Sequence, residues 1–385
     1  MFGRGPLRGS PTTGPTGAGP TPRFLAGSAV VGAVVGAAAV AVGTALQRVV
    51  DASVRRLPAP GRFVVVDGAR IHVEVLGADD APVVVAETGL GGTSADWERT
   101  AELLGGSVRL VALARPGLGR SDPGAPPDVA GAVRRLEAVL EALSVTPPVV
   151  LVGWSLGGLL DLGVTLVRPD LVSGVVLVDP SHPDEARRFR DPALTRVGRA
   201  GLRAMGLGAR VGGAALVGMP SRVAYLRAST RNAREPLWQI PSFATSAAGL
   251  ALARELIAFP DLCDEVGRLR PPHAPIAGSV DAPIAGSVDG PVVAPGSSTA
   301  GRTQPVAPPP VVPVVPVVLL SATHRLTPIE RRAWEEMHGD LARWLPGTEL
   351  RVVEHSGHDI PSDRPDAVAE AIGLVVAAAP VASRP

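Results

Sequence analysis

Pro147-Pro-Val-Val-Leu-Val-Gly-Trp-Ser-Leu-Gly-Gly158 is the stretch on which the reading of this chain turns. Val149 to Val152 is uncharged and mostly β-branched, the composition of a strand buried on both faces. Gly153-Trp154-Ser155-Leu156-Gly157 follows as a G-x-S-x-G pentapeptide, and Leu156 to Val167 then carries apolar residues at helical spacing. Strand, sharp turn and helix around one serine predict that Ser155 is thrust out above a sheet edge. A Cβ at either flanking glycine would collide with neighbouring backbone in so tight a corner.

Working outward, the pattern on either side is strands alternating with helices. Arg62 to Val66 and Ile71 to Leu76, joined by Asp67-Gly68, read as a hairpin. Pro82 to Ala86 and Val108 to Leu113 read as strands, and Asp128 to Leu143 as an amphipathic helix with Val129, Val133, Leu136, Val139, Leu140 and Leu143 on one face. After the central corner come strands at Gly174 to Val178, Val314 to Leu320 and Glu349 to Val353, and helices at Pro328 to Trp344 and Arg364 to Ala377. This rhythm predicts an α/β domain over 62–379, its mostly parallel sheet covered by helices on both faces. Residues 184–268 are helical in pattern and fit a cap inserted over the C-terminal edge of the sheet. Residues 271–313 are low complexity, with the tandem copy Ala274 to Asp281 and Ala282 to Asp289, and read as a disordered insertion.

Residues 1–23 are rich in Gly, Pro and Thr and read as a disordered tail. Phe24 to Leu46 carries no charge, and as a helix it would extend about 34 Å, enough to cross a bilayer core. The expectation is a single-pass, N-terminal membrane anchor over 24–46. The alternative is a cleaved export signal, with Ala39-Val40-Ala41 as the cleavage site and a secreted product. Arginines flank the segment on both sides, so charge does not fix its orientation.

The chain has 385 residues, is 46% hydrophobic and has a formal net charge of +1, which leaves room for a large core and gives no general attraction to nucleic acid. Its basic residues are all arginine, so no arginine stands out by type. The single cysteine, Cys263, excludes an intramolecular disulfide and a cysteine-based metal site, and reads as a small apolar filler.

Four local motifs fall in a telling order: Glu87-Thr-Gly-Leu-Gly-Gly92, Arg115-Pro-Gly-Leu-Gly-Arg-Ser121, the Ser155 corner, and His355-Ser-Gly-His-Asp-Ile-Pro361. Together they resemble the α/β-hydrolase fold superfamily, in its serine-nucleophile, cap-bearing branch. The resemblance implies an eight-stranded, mostly parallel sheet, a Ser-His-acid triad and an acyl-enzyme intermediate, with no metal or organic cofactor. A serine hydroxyl needs an adjacent base, and the base an orienting acid. By the resemblance Ser155 is the nucleophile and His358 the base. His355 reads as a solvated or packing residue, and His72, His182, His273, His324 and His338 match no motif. Most relatives carry the acid after the strand that here is Val314 to Leu320, but Ser321 to Pro328 contains no carboxylate. Asp179, at the end of the preceding strand, is the expected substitute, with Asp359 and Glu330 as alternatives.

The backbone N–H groups of Leu156 and Leu90 are the implied oxyanion donors, with Thr88 where relatives usually carry a histidine. The expected activity is hydrolysis of carboxylic esters or related acyl compounds. Leu237, Trp238, Ile240 and Phe243 in the cap point to a small hydrophobic or amphipathic acyl substrate. Serine at the corner argues against epoxide-hydrolase or dehalogenase chemistry, which needs a carboxylate nucleophile. The competing reading is a catalytically silent member of the fold that binds a ligand or partner.

Overall fold

The computed structural model describes residues 22–56, 60–189, 192–218, 245–272, 314–324 and 327–379. The expected tail up to residue 21, the low-complexity insertion from residue 273, and Leu237, Trp238, Ile240 and Phe243 lie outside the described residues.

The eight strands are β1 (Arg62–Val66), β2 (Ala69–Leu76), β3 (Val83–Glu87), β4 (Arg109–Leu113), β5 (Val149–Trp154), β6 (Val172–Val178), β7 (Val317–Ala322) and β8 (Thr348–Val353). They form one sheet in the order β1-β2-β4-β3-β5-β6-β7-β8. β2 pairs antiparallel with both β1 and β4, and the remaining pairings are parallel. β5, β6 and β7 are buried along their whole length, which is why their sequences run apolar without alternation. β7 begins three residues later than the sequence pattern predicts. Pro316 cannot donate to a ladder, and regular pairing starts only at Val317.

The helices are α1 (Pro22–Arg56), α2 (Glu98–Leu104), α3 (Val129–Ala142), α4 (Leu156–Val167), α5 (Glu185–Arg188), α6 (Pro192–Gly208), α7 (Ser246–Gly267), α8 (Pro328–Leu341) and α9 (Pro365–Ala378), with one further helical turn at Ile360–Asp363 just before α9. One face of the sheet, with Val85, Val111, Leu151, Val175 and Leu319, packs with residues from α3, α4, α7 and α8. The other face, with Val84, Ala112, Val152, Val176 and Leu320, packs with α2 and α9. Asp128 caps α3, its side chain accepting from the Gly131 N–H, and Thr245 caps α7 by accepting from Ala248. Cys263 is buried in the first core, and burial pushes its thiol up to about 12, leaving it a packing residue.

α1 runs well past the uncharged segment. Its exposed turns carry Val34, Val35, Val40 and Val42. From Gly43 onward one face is engaged by the protein. A Cβ on Gly43 would lie 2.2 Å from the Val211 carbonyl oxygen, so the helix and the Ala209–Gly218 segment approach backbone to backbone. One turn further Gln47 is buried, and Asp51 accepts from the Ser246 N–H (2.9 Å) and hydroxyl (2.5 Å). Val54 is buried, and Arg120 donates to the Val54 carbonyl. Positions 43, 47, 51 and 54 form a stripe at helical spacing, and that stripe carries the helix beyond Leu46. Ala33–Arg56 is long and apolar enough to cross a membrane.

Candidate active site

Ser155 occupies the corner between β5 and α4 with φ 55° and ψ −116°, a conformation in which a residue with a Cβ is strained. The corner is tied to the next strand, since the Ser155 N–H donates to the Val178 carbonyl and Ser181 N–H donates back to the Ser155 carbonyl, both at 3.0 Å. A Cβ on Gly157 would sit 2.4 Å from the Glu87 carbonyl oxygen, and one on Gly153 2.6 Å from that of Gly157. These are the collisions anticipated for the pentapeptide. Ser155 is 7% exposed, and its hydroxyl is open to one partner in particular.

That partner is His358. Its Nε2 lies 2.8 Å from Ser155 Oγ, while Nδ1 lies 2.5 Å from Asp179 Oδ2. A carboxylate only accepts, so Nδ1 carries the proton and Nε2 offers a lone pair to the serine hydroxyl. The loop bearing His358 is held from β5, because Trp154 Nε1 donates to the His358 carbonyl at 2.8 Å. The rings of Trp154 and Trp334 flank the imidazole at centroid distances of 5.7 and 6.3 Å. Asp179 is fully buried at the end of β6 with φ 41°, and its Oδ1 accepts from the Ala322 N–H at 2.9 Å.

The end of β7, which lacks a carboxylate, contributes instead to a buried pair behind Asp179. His338 Nε2 donates to the Pro180 carbonyl at 3.1 Å, which leaves Nδ1 to accept from Ser321 Oγ at 2.7 Å. His338 Nδ1 lies 3.9 Å from Asp179 Oδ1. His338 had matched no sequence motif; its only signal was a histidine on the apolar stripe of α8. The other acids considered sit elsewhere. Glu330 accepts from Thr327 at the exposed start of α8. Asp359 lies beside Asp96 and Ser362, where burial, and then the charge of Asp96, push its carboxyl up to about 7. His355 is exposed with its ring 6.2 Å from that of His324, His182 meets Asp340, and His72 meets the Pro60 carbonyl. His273 lies outside the described residues.

Leu156 begins α4, so its N–H points out of the helix N-terminus beside Ser155. Leu90 belongs to the turn after β3, which is closed by the Gly92 N–H donating to the Gly89 carbonyl at 3.0 Å. Thr88, in the usual histidine's place, donates through its hydroxyl to Asp96 at 2.5 Å.

Beneath this turn lies a buried charge cluster that sequence reading did not assemble. Arg115 donates to Glu255 (2.6 Å), to Glu87 (3.3 Å) and to the carbonyls of Thr88 and Gly89 (2.6 Å each). Arg135 donates to the other oxygen of Glu87 at 3.1 Å. Burial works against the Arg115 charge, but Glu255 and then Glu87 more than offset it, so its pKa is raised. Asp161, buried on α4 below the elbow, goes the other way. Burial first and the charge of Glu87 second raise its carboxyl well above the usual range.

A mostly parallel eight-stranded sheet with a strand–turn–helix corner at its centre and helices inserted after β6 defines an α/β-hydrolase fold. A family model described as "alpha/beta hydrolase fold" matches residues 82–249, a likeness to the α/β-hydrolase superfamily that agrees with this fold. It is 32% identical over 189 residues to "Polyketide synthase ThaQ" of Burkholderia thailandensis, covering 46% of this chain and 9% of that protein. It is 32% identical over 141 residues to "Putative carbamate hydrolase RutD" of Rhizobium rhizogenes, covering 35% of this chain and 53% of that protein. The match thus spans about half of the latter and under a tenth of the former. The solved enol-lactonase from Burkholderia xenovorans LB400 superposes with a TM-score of 0.51 at 18% identity, covering 82% of this chain and 99% of that one, a likeness of fold.

Proposed function

We propose that this chain is a serine hydrolase acting on carboxylic esters or related acyl compounds, with Ser155 as nucleophile, His358 as general base and Asp179 as its orienting acid. The observation that carries the reading is the unbroken hydrogen-bonded line from buried Asp179 through the His358 ring to Ser155 Oγ. Ser155 Oγ attacks the acyl carbonyl carbon as His358 Nε2 takes its proton. The tetrahedral oxyanion is met by the N–H groups of Leu156 and Leu90. His358 then protonates the leaving alcohol, and the acyl group remains on Ser155. A water, deprotonated by the same nitrogen, releases the acid and restores the hydroxyl. A well-placed base contributes roughly 10²–10⁴ to the rate, and one oxyanion donor about 10²–10³. The relatives' names favour acyl chemistry too, since a carbamate and a lactone are both acyl compounds.

On the same reading α1 is a single-pass anchor, and its docked stripe sets the cap beside the membrane, within reach of a hydrophobic or amphipathic acyl substrate. The test is reaction of the full-length protein with a fluorophosphonate probe. Labelling that disappears in Ser155→Ala supports the nucleophile; no labelling of wild type, or labelling that survives in Ser155→Ala, defeats it. Retention in the membrane pellet after alkaline extraction checks the anchor.

A further inference from the structure

Two buried groups converge on the turn around Leu90 from distant parts of the chain. Arg115 Nη2 donates to the Gly89 carbonyl at 2.6 Å, and Nη1 to the Thr88 carbonyl at 2.6 Å. Glu255, on α7, accepts the Gly91 N–H at 2.8 Å and clasps Arg115 at 2.6 and 3.2 Å. Side chains of Arg115 and Glu255 are 1% and 4% exposed, so both bonds form away from water. α7 lies directly on the turn: a Cβ at Gly91, whose φ is +69°, would come within 3.0 Å of Leu252 Cδ1.

The Gly89 carbonyl and the Leu90 N–H belong to one peptide plane. A trans peptide points them in opposite directions, so whatever holds the carbonyl also aims the N–H. A guanidinium on that oxygen draws electron density through the amide as well, which makes the N–H a stronger donor. Glu255 fixes the next peptide, between Leu90 and Gly91, and holds Arg115 in place. We propose that Arg115 and Glu255 are positioning residues that aim and polarise the Leu90 N–H, and that Glu255 makes this donor depend on the seating of the cap helix α7. The inference rests on the serine-hydrolase reading above and adds a residue of the cap to the machinery.

The test compares wild type with Glu255→Gln, Glu255→Leu and Arg115→Lys, using hydrolysis of 4-nitrophenyl butanoate and inhibition by an alkylboronic acid that forms a tetrahedral adduct on Ser155. Glutamine retains one acceptor for two donors, and lysine lacks the planar fork that spans two carbonyls. The expected result is a kcat lowered about 10- to 100-fold with KM within about threefold, since the donor matters most to the charged intermediate. Boronate affinity should fall in parallel with kcat. Near-UV circular dichroism identifies the variants that keep the native fold, and Glu255→Gln, the isosteric change, is the one chosen to survive. Kcat and boronate affinity within twofold of wild type in the folded variants overturn the proposal. So does a loss of kcat with boronate affinity unchanged. Failure of the underlying reading looks different, because wild type itself is then unlabelled by the fluorophosphonate.

Discussion

The Ser155 elbow and the Leu90 turn, which the proposed mechanism sets against one reacting carbonyl, hold their backbones in different ways. The elbow is fixed by its own covalent neighbourhood. Glycines at 153 and 157, β5 before and α4 after leave the serine one strained conformation, secured by main-chain bonds to Val178 and Ser181. The turn is closed locally by the Gly92 N–H on the Gly89 carbonyl, but its remaining bonds come from far along the chain. Arg115 reaches it from the loop after β4, and Glu255 from a helix 164 residues beyond Gly91. The difference teaches that, on the proposed reading, the nucleophile is built into the sheet, whereas the oxyanion donor at Leu90 depends on tertiary packing. The first should tolerate change in the cap and the second should not.

The contrast can be broken or sharpened at several points. Ser155→Ala, which removes the reacting atom and nothing structural, should lower turnover of a 4-nitrophenyl ester by about 10⁴-fold or more with an unchanged melting temperature. Residual turnover above about a hundredth of wild type would falsify the role of the elbow. Asp179→Asn keeps the shape of the acid but withdraws the charge that selects the His358 tautomer, and should cost about 10³- to 10⁴-fold in kcat with circular dichroism unaltered. If the loss is under tenfold, the acid lies elsewhere.

Trp154→Phe deletes the N–H that holds the His358 carbonyl, a bond worth about 1 kcal/mol, so kcat should fall about fivefold. Measured in steady state with KM monitored, no change would mean the loop is held by packing alone. Asp51→Ala removes the acceptor for two Ser246 donors and should lower the melting temperature by a few degrees, at a cost of about 1–2 kcal/mol, while kcat changes less than twofold. A large kcat loss there would mean that α1 reaches the chemistry through the cap.

The smallest effect concerns Asp359. Its ordinary carboxyl value is 3.8 and its folded value about 7, so the folded chain holds this proton where the unfolded chain has released it. The stability it contributes is therefore complete below about pH 4 and is lost as pH rises through 7. Asp359→Asn should abolish that slope, with the variant gaining on wild type in melting temperature between pH 5 and pH 8. A difference between the two that stays constant across this range contradicts the assignment.

What could be read in the sequence follows from how each feature is encoded. The hairpin, the central strands, the Ser155 corner and the His358 loop are written in contiguous residues, and each appears within a few residues of its expected place. The extension of α1 to Arg56 was hidden. Gln47, Asp51 and Val54 look like the polar end of a helix until the surfaces they meet are known. Glu255 sits in an Ala-rich helical run with nothing to mark it as a partner of Arg115, 140 residues away. Asp179 was legible only because the loop after β7 offered no carboxylate. The Ser321–His338 pair that occupies that region became visible only in three dimensions.

Placing the acid at the end of β6 has a consequence for the chain's tolerance of length change. Ser155 and Asp179 are both set down before α5, with α4 and β6 between them, and only the His358 imidazole must return, 203 residues after the serine. Added length between them alters a loop-closure cost that grows only logarithmically. The duplicated octapeptide at 274–289 falls in that interval of the sequence, so a change in its copy number is expected to leave the Ser155–His358–Asp179 line intact.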